Sequence, residues 1–219
     1  MNDFANTFLL VYGGLFPIVD PVAGAPIFLS LSRNATQKER KFLPARIAVN
    51  SFILLLCSMF IGSHVLGFFG ITIPVVRIAG GLIVTAFGWE LLHSSDGLEN
   101  HRAAGESKPP AKPTDAFYPL TMPLTVGPGS IAVAITLGSQ RPVGPTSYEH
   151  MTLLMSAAVA GLAAIALTIY ICYRFADRIT AKLGESGTNV LVRLSAFILL
   201  CIGIQIIWSG YSTLTAVPH

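Results

Sequence analysis

Hydrophobic positions in this chain fall into six long blocks, covering residues 4–31, 42–69, 73–93, 117–139, 149–175 and 188–212. Each block reaches the roughly 20 residues that a helix needs to cross a hydrocarbon core. The pattern therefore predicts an all-α, polytopic membrane protein with six transmembrane helices. The first and fourth blocks are interrupted. One contains Phe16-Pro17-Ile18-Val19-Asp20-Pro21-Val22-Ala23-Gly24-Ala25-Pro26. The other contains Tyr118-Pro119-Leu120-Thr121-Met122-Pro123-Leu124-Thr125-Val126-Gly127-Pro128, followed by Gly129 and Ser130. An aromatic residue and a proline open both, and two further prolines recur at the same spacing. Such a cluster does not fit one continuous helix, because each proline lacks an N–H and clashes with the preceding turn. A broken helix in lipid survives where its freed backbone groups face protein or a polar cavity. Paired interruptions in the two halves of a chain point to a transporter's binding site.

The blocks divide into residues 1–93 and 117–212, with 94–116 between them as a polar, proline-containing cytoplasmic linker and 213–219 as a short external tail. An odd number of spans per half makes the second half enter the membrane from the opposite side. The expected architecture is therefore a 3+3 inverted repeat, its first and fourth helices broken near the bilayer midplane. A second match in the same order supports it: Val76-Arg77-Ile78-Ala79-Gly80 against Val192-Arg193-Leu194-Ser195-Ala196.

Charge fixes an expected orientation. Only 11% of residues are charged and 53% are hydrophobic, too little charge for the surface of a soluble domain. Arg33, Lys38, Arg40, Lys41 and Arg46 lie between blocks one and two, and Arg102, Lys108 and Lys112 between three and four. Arg174, Arg178 and Lys182 lie between five and six, whereas the opposite side holds Arg141. Basic loops face the cytoplasm, so both termini are expected on the external, periplasmic side of a bacterial inner membrane. The net charge of +3 then reflects topology, and no nucleic-acid partner is expected. Met1-Asn2-Asp3 has no basic n-region, so no cleaved signal peptide is expected either. Cys57, Cys172 and Cys201 sit in apolar blocks without metal-ligand spacing and read as packing residues. The histidines His64, His93, His101, His150 and His219 form no catalytic pattern. Neither enzyme activity nor a cofactor or metal is expected.

A break within the membrane exposes a half-helix N-terminus, with unpaired N–H groups and the positive end of the dipole. Those starts are expected near Gly24–Pro26 and Gly127–Ser130. Donors at one break and carbonyls at the other suit a small zwitterion. Candidate binding residues are Asp20, Pro21, Gly24, Ala25 and Pro26 in the first break, and Thr121, Pro123, Thr125, Gly127, Pro128, Gly129 and Ser130 in the second. An intramembrane acid is costly unless paired, hydrated or protonated. Asp20 is therefore a candidate carrier of a proton or monovalent cation, or equally an N-cap, and its repeat counterpart is Met122. Arg77, Glu90 and Arg193 are candidate coupling or gating groups, with interfacial anchoring the plainer role for each. Asn50, Ser51 and Gln205 read as hydrogen-bonding glue between helices. The small residues Ser156, Ala160 and Ala164, with Ala157 and Gly161 beside them, mark either an intramolecular packing face or a homo-oligomer contact.

The two break motifs, together with Arg77-Ile78-Ala79-Gly80-Gly81 and Gly187-Thr188-Asn189-Val190-Leu191-Val192-Arg193, resemble the MarC family of bacterial inner-membrane proteins over residues 4–212. The resemblance implies a six-helix inner-membrane protein distantly allied to the lysine-exporter superfamily. Some members are described as transporters of neutral amino acids, glycine and alanine among them, and the resemblance extends that expectation to this chain, with proton coupling as one option. Asp20 stands where the family pattern is expected to carry Asn, which leaves coupling and substrate preference open. The expected function is a secondary transporter of a small neutral solute working by alternating access. The alternatives are a channel-like pore or a non-transporting membrane protein with a regulatory or structural role.

Overall fold

The computed structural model describes residues 2–32, 37–93, 116–139 and 148–215, and every described element is helical. Helix α1 (Asn2–Val19) is followed after a single residue by α2 (Pro21–Leu31). Two long helices come next, α3 (Gln37–Phe68) and α4 (Ile73–His93). The second half opens with a wide-wound segment, α5 (Ala116–Thr125), and continues with α6 (Pro128–Ser139), α7 (Tyr148–Arg174) and α8 (Ala176–Thr215).

Five stretches are long and apolar enough to cross a membrane: Asp3–Leu29, Glu39–Phe68, Ile73–His93, Tyr148–Arg174 and Ser186–Thr215. The expected sixth, 117–139, is not one continuous span. Tyr118 (φ −122°, ψ 128°) and Met122 (φ −120°, ψ 122°) are extended, each directly before a proline. A proline ring disfavours helical backbone in the residue before it. Only Pro128–Ser139 remains there as a short apolar helix.

The outer surface is apolar. Phe42, Ile53, Leu82, Leu167 and Phe197 are all exposed. Lipid is as apolar as these side chains, so they need no protein cover, and association inside the bundle rests on close packing and hydrogen bonds. Antiparallel α4 and α8 are the most closely joined pair. A Cβ on Gly81 would lie 2.8 Å from the Gly203 carbonyl oxygen, and one on Gly88 2.9 Å from that of Ala196. On α7, Ala157 and Gly161 are buried, and a Cβ on Gly161 would come within 3.0 Å of Val11. That face therefore packs on α1, while Ser156 is exposed.

The remaining pairings fall into a pattern. Helix α3 packs on α5 and α6, and α7 packs on α1 and α2. Likewise α4 packs on α6, α8 packs on α2, and α3 packs on α7. One core, containing Leu15, Phe28, Ile47, Leu55, Val126 and Ile165, ties the interrupted segments to α3 and α7. A smaller one joins α2, α4 and α8 through Ala23, Val84, Leu91 and Ala196.

At one end of the bundle, Arg40 at the start of α3 forms an ion pair with Asp177 at the start of α8, at 2.7 Å. Gly184 (φ +66°) then separates the first turns of α8 from its apolar remainder. The expected linker, with Arg102, Lys108 and Lys112, lies outside the described residues apart from Ala116, as does Arg141. Of the expected tail 213–219, the first residues continue α8 to Thr215.

Candidate functional site

Asp20 is the residue between α1 and α2, and it has a left-handed backbone (φ 40°, ψ 62°). Among the described residues it is the single non-glycine with positive φ. Asp and Asn tolerate that conformation, because a short polar side chain can bond locally. Here the Ala23 N–H donates to Asp20 Oδ1 at 3.3 Å, and the Gly24 N–H donates to the Asp20 carbonyl at 3.0 Å. Pro21 follows at the first helical position, where a missing N–H costs nothing. The half-helix therefore starts at Pro21, earlier than the expected Gly24–Pro26. Pro17 and Pro26 lie inside α1 and α2. One residue in the left-handed region is enough to interrupt the helix, so the outer two prolines are absorbed at the cost of one backbone bond each. Most N-terminal donors of α2 are thereby already used. What this break presents is a carboxylate rather than a nest of N–H groups.

The second interruption is built differently. Val126 donates to the Thr121 carbonyl at 2.8 Å, closing a wide turn. Thr121 and Thr125 are buried, and their hydroxyls donate to the carbonyls of Ala116 at 2.7 Å and Leu120 at 2.8 Å. Pro119 and Pro123 have no N–H to give, and the threonine hydroxyls add side-chain bonds to the backbone of this wide-wound segment. Of Pro123 itself only the backbone is described. Helix α6 begins at Pro128, as expected, with Ile131 donating to the Gly127 carbonyl at 3.2 Å and Ser130 Oγ donating to it at 2.9 Å. The amides of Gly129 and Ser130 precede that first intrahelical bond and are the open donors of this end. Gly129 is buried under Val84, whose Cγ2 occupies the place a Cβ would take.

Two residues outside the motifs complete the site. Ser195 on α8 lies beside the Asp20 carboxylate. Tyr173 on α7 is 2% exposed, and its hydroxyl lies 2.9 Å from Thr125 Oγ1. Because Thr125 spends its proton on Leu120, Tyr173 donates to Thr125. The Tyr173 ring stacks on Phe28 of α2, with centroids 4.8 Å apart and planes 10° from parallel. A Cβ on Gly24 would come within 2.7 Å of the Tyr173 oxygen. Tyr173 thus touches both interruptions at once. Ser195 was present in the second repeat match and could have been flagged as the α8 residue facing the first break. Nothing in the sequence pattern marks Tyr173.

The other candidates lie away from this centre. Arg77 Nη1 reaches Thr213 Oγ1 at 3.4 Å, near the far ends of α4 and α8. Arg193 and Glu90 are both exposed. None of the three is brought to Asp20. Pro21, Ala25 and Pro26 line α2 beside it, with Ala25 fully buried. Gln205 is exposed rather than held between helices, while Ser51 is buried with its hydroxyl unpaired. Cys57 and Cys201 are exposed on the apolar surface, and Cys172 alone is packed inside. Thr125→Val, close in shape, would strand the Tyr173 hydroxyl in a buried setting. The expected loss is about 1–3 kcal/mol of stability, read as a lowered unfolding midpoint of the detergent-solubilised protein, whereas Thr125→Ser should keep most of it.

Membrane-length helices, an apolar exterior and two interrupted segments meeting in the core define a polytopic α-helical integral membrane protein. The profile described as MarC family integral membrane protein matches residues 5–215, and the chain belongs to that family. Relatives include the inner membrane protein MarC of Salmonella typhimurium, 32% identical over 209 residues that cover 94% of each chain. The protein of the same name in Citrobacter koseri is 31% identical over 211 residues, again 94% of each chain. Membrane protein YvbG of Bacillus subtilis is 28% identical over 201 residues, covering 91% of this chain and 92% of its own. These relatives are named as membrane or inner-membrane proteins, not as enzymes. No solved structure matches the chain.

Proposed function

We propose that this protein is a secondary transporter of a small neutral solute, a neutral amino acid of the size of glycine or alanine, working by alternating access across the inner membrane. The observation that carries the reading is the meeting of both interruptions around Tyr173. Tyr173 touches Gly24, four residues after Asp20, and Thr125, four residues before Gly129, whose amide is open with that of Ser130. A carboxylate suits an ammonium group or a cation, and a helix N-terminus suits a carboxylate. Opposite charges on one small solute match that pair of partners. Tight glycine and alanine packing at the site leaves room for little more than a short side chain.

The helix pairings support a 3+3 inverted repeat. Exchanging α1 and α2 with α5 and α6, α3 with α7, and α4 with α8 maps each pairing described above onto one of them. In that reading 1–93 and 117–212 are the repeat units, the breaks lie near mid-membrane, and the halves rock about a fixed site. The Arg40–Asp177 pair joins connections of the same expected cytoplasmic side, which agrees with external termini. Coupling to a proton or monovalent cation would fall to Asp20, the titratable group of the first break.

Counterflow in proteoliposomes tests the proposal. Vesicles loaded with unlabelled glycine, alanine or serine should take up the labelled amino acid in a saturable, trans-stimulated manner. Uptake no greater than in protein-free liposomes across a neutral panel removes the amino-acid assignment. Flux that neither saturates nor responds to the trans solute favours a pore.

A further inference from the structure

Tyr173 has the placement of a movable closure. It is the penultimate residue of α7, followed within four positions by Asp177 and its partner Arg40. From the second break, α6 runs the other way for about 17 Å, until Gly138 meets Met59 on α3. The phenol therefore stands between the break region and the Arg40–Asp177 end of the bundle. Three elements converge on it: α2 through Phe28 and Gly24, α5 through Thr125, and α7 itself. Its hydroxyl fits only because residue 24 has no Cβ. The attachments are one hydrogen bond and one ring stack, both of which a rotation of the side chain would release together.

We propose that Tyr173 is the gate that closes the two-break site toward the Arg40–Asp177 end of the bundle. The inference rests on the transporter reading and gives it a moving part. Parting of Tyr173 from Thr125 and Gly24 opens a path from that end to Asp20, Gly129 and Ser130. The Arg40–Asp177 pair forms an outer, solvent-facing layer over the same opening.

The test needs no substrate. The full chain, carrying Cys57→Ala, Cys172→Ala and Cys201→Ala, receives a reporter thiol by Ser130→Cys. Labelling with a charged, membrane-impermeant methanethiosulfonate is followed in right-side-out and inverted vesicles. Where the open state is populated at about 10% or less, making it dominant raises the labelling rate about tenfold or more. That is the result expected for Tyr173→Ala from the Arg40–Asp177 face, with little change from the other. Gly24→Ala should also raise the rate, because its new methyl meets the Tyr173 oxygen. Combining it with Tyr173→Phe, which removes that oxygen and keeps the ring, should bring the rate back to that of Tyr173→Phe alone. An unchanged rate in Tyr173→Ala, an equal rise from both faces, or no rescue in the double variant would overturn the gate. Intact counterflow beside such a result would leave the transport reading standing. A one-sided rise without any solute flux would keep the gate and remove the transport reading.

Discussion

Asp20→Asn is expected to leave the protein folded, while weakening its hold on the solute ammonium group and removing ion-driven accumulation. Asn is as good an N-cap as Asp, and it too accepts the left-handed backbone, so the stability change should stay within about 0.5 kcal/mol. The Ala23 amide keeps its acceptor, and Pro21 keeps its place. What disappears is the negative charge and with it the capacity to bind a proton or cation. Proteoliposomes under an imposed proton or sodium gradient would register this as loss of uphill uptake, with the remaining counterflow half-saturating at a higher solute concentration. Accumulation equal to wild type would show that the driving ion does not use Asp20. Asp20→Ala separates charge from architecture: it loses the cap, about 1 kcal/mol, and pays about 1–2 kcal/mol for the left-handed backbone. That variant should lower the unfolding midpoint, which Asp20→Asn should not.

Gly138→Val is expected to abolish folded protein. A Cβ at that position would fall on the carbonyl oxygen of Met59, with the Met59 carbonyl carbon 2.6 Å away. The obstacle is the backbone of α3 rather than a flexible side-chain tip, so relief requires α3 and α6 to separate. Overpacking of this kind costs about 3 kcal/mol or more. Size-exclusion profiles of the solubilised variant should show aggregate in place of a monodisperse peak. A well-behaved variant would mean that α3 and α6 can part at this level without loss of the fold. Gly13, where a Cβ would meet nothing within 4 Å, is the matched control.

The long helices were legible because lipid exposure demands uninterrupted apolar runs, and these have no other explanation in a chain this poor in charge. The sites of interruption were legible from proline clustering, but their construction was not. Proline spacing is alike in both segments, yet one breaks at a single left-handed Asp20 while the other unwinds over Ala116–Thr125. The difference lies in which side chains bond the backbone there: Asp20 caps an amide, whereas Thr121 and Thr125 donate to carbonyls. Proline positions record what is lost, not what replaces it. Arg77, Glu90 and Arg193 drew attention as charges within apolar sequence, but charges at helix ends reach outward as readily as inward. Tyr173 stayed hidden for the opposite reason. An aromatic residue near the end of a transmembrane helix is ordinary at an interface, and only the tertiary pairing of α7 with α2 turns it inward.

The left-handed backbone at position 20 also has a genetic consequence. Residues that fit it without strain are glycine, asparagine and aspartate, and the codons of aspartate differ from those of each of the other two by a single base. Mutation can therefore insert or remove the intramembrane charge in one step, through a substitution that the fold hardly registers. Lineages in this family can acquire or lose an ionisable group at the break without passing through a misfolded intermediate.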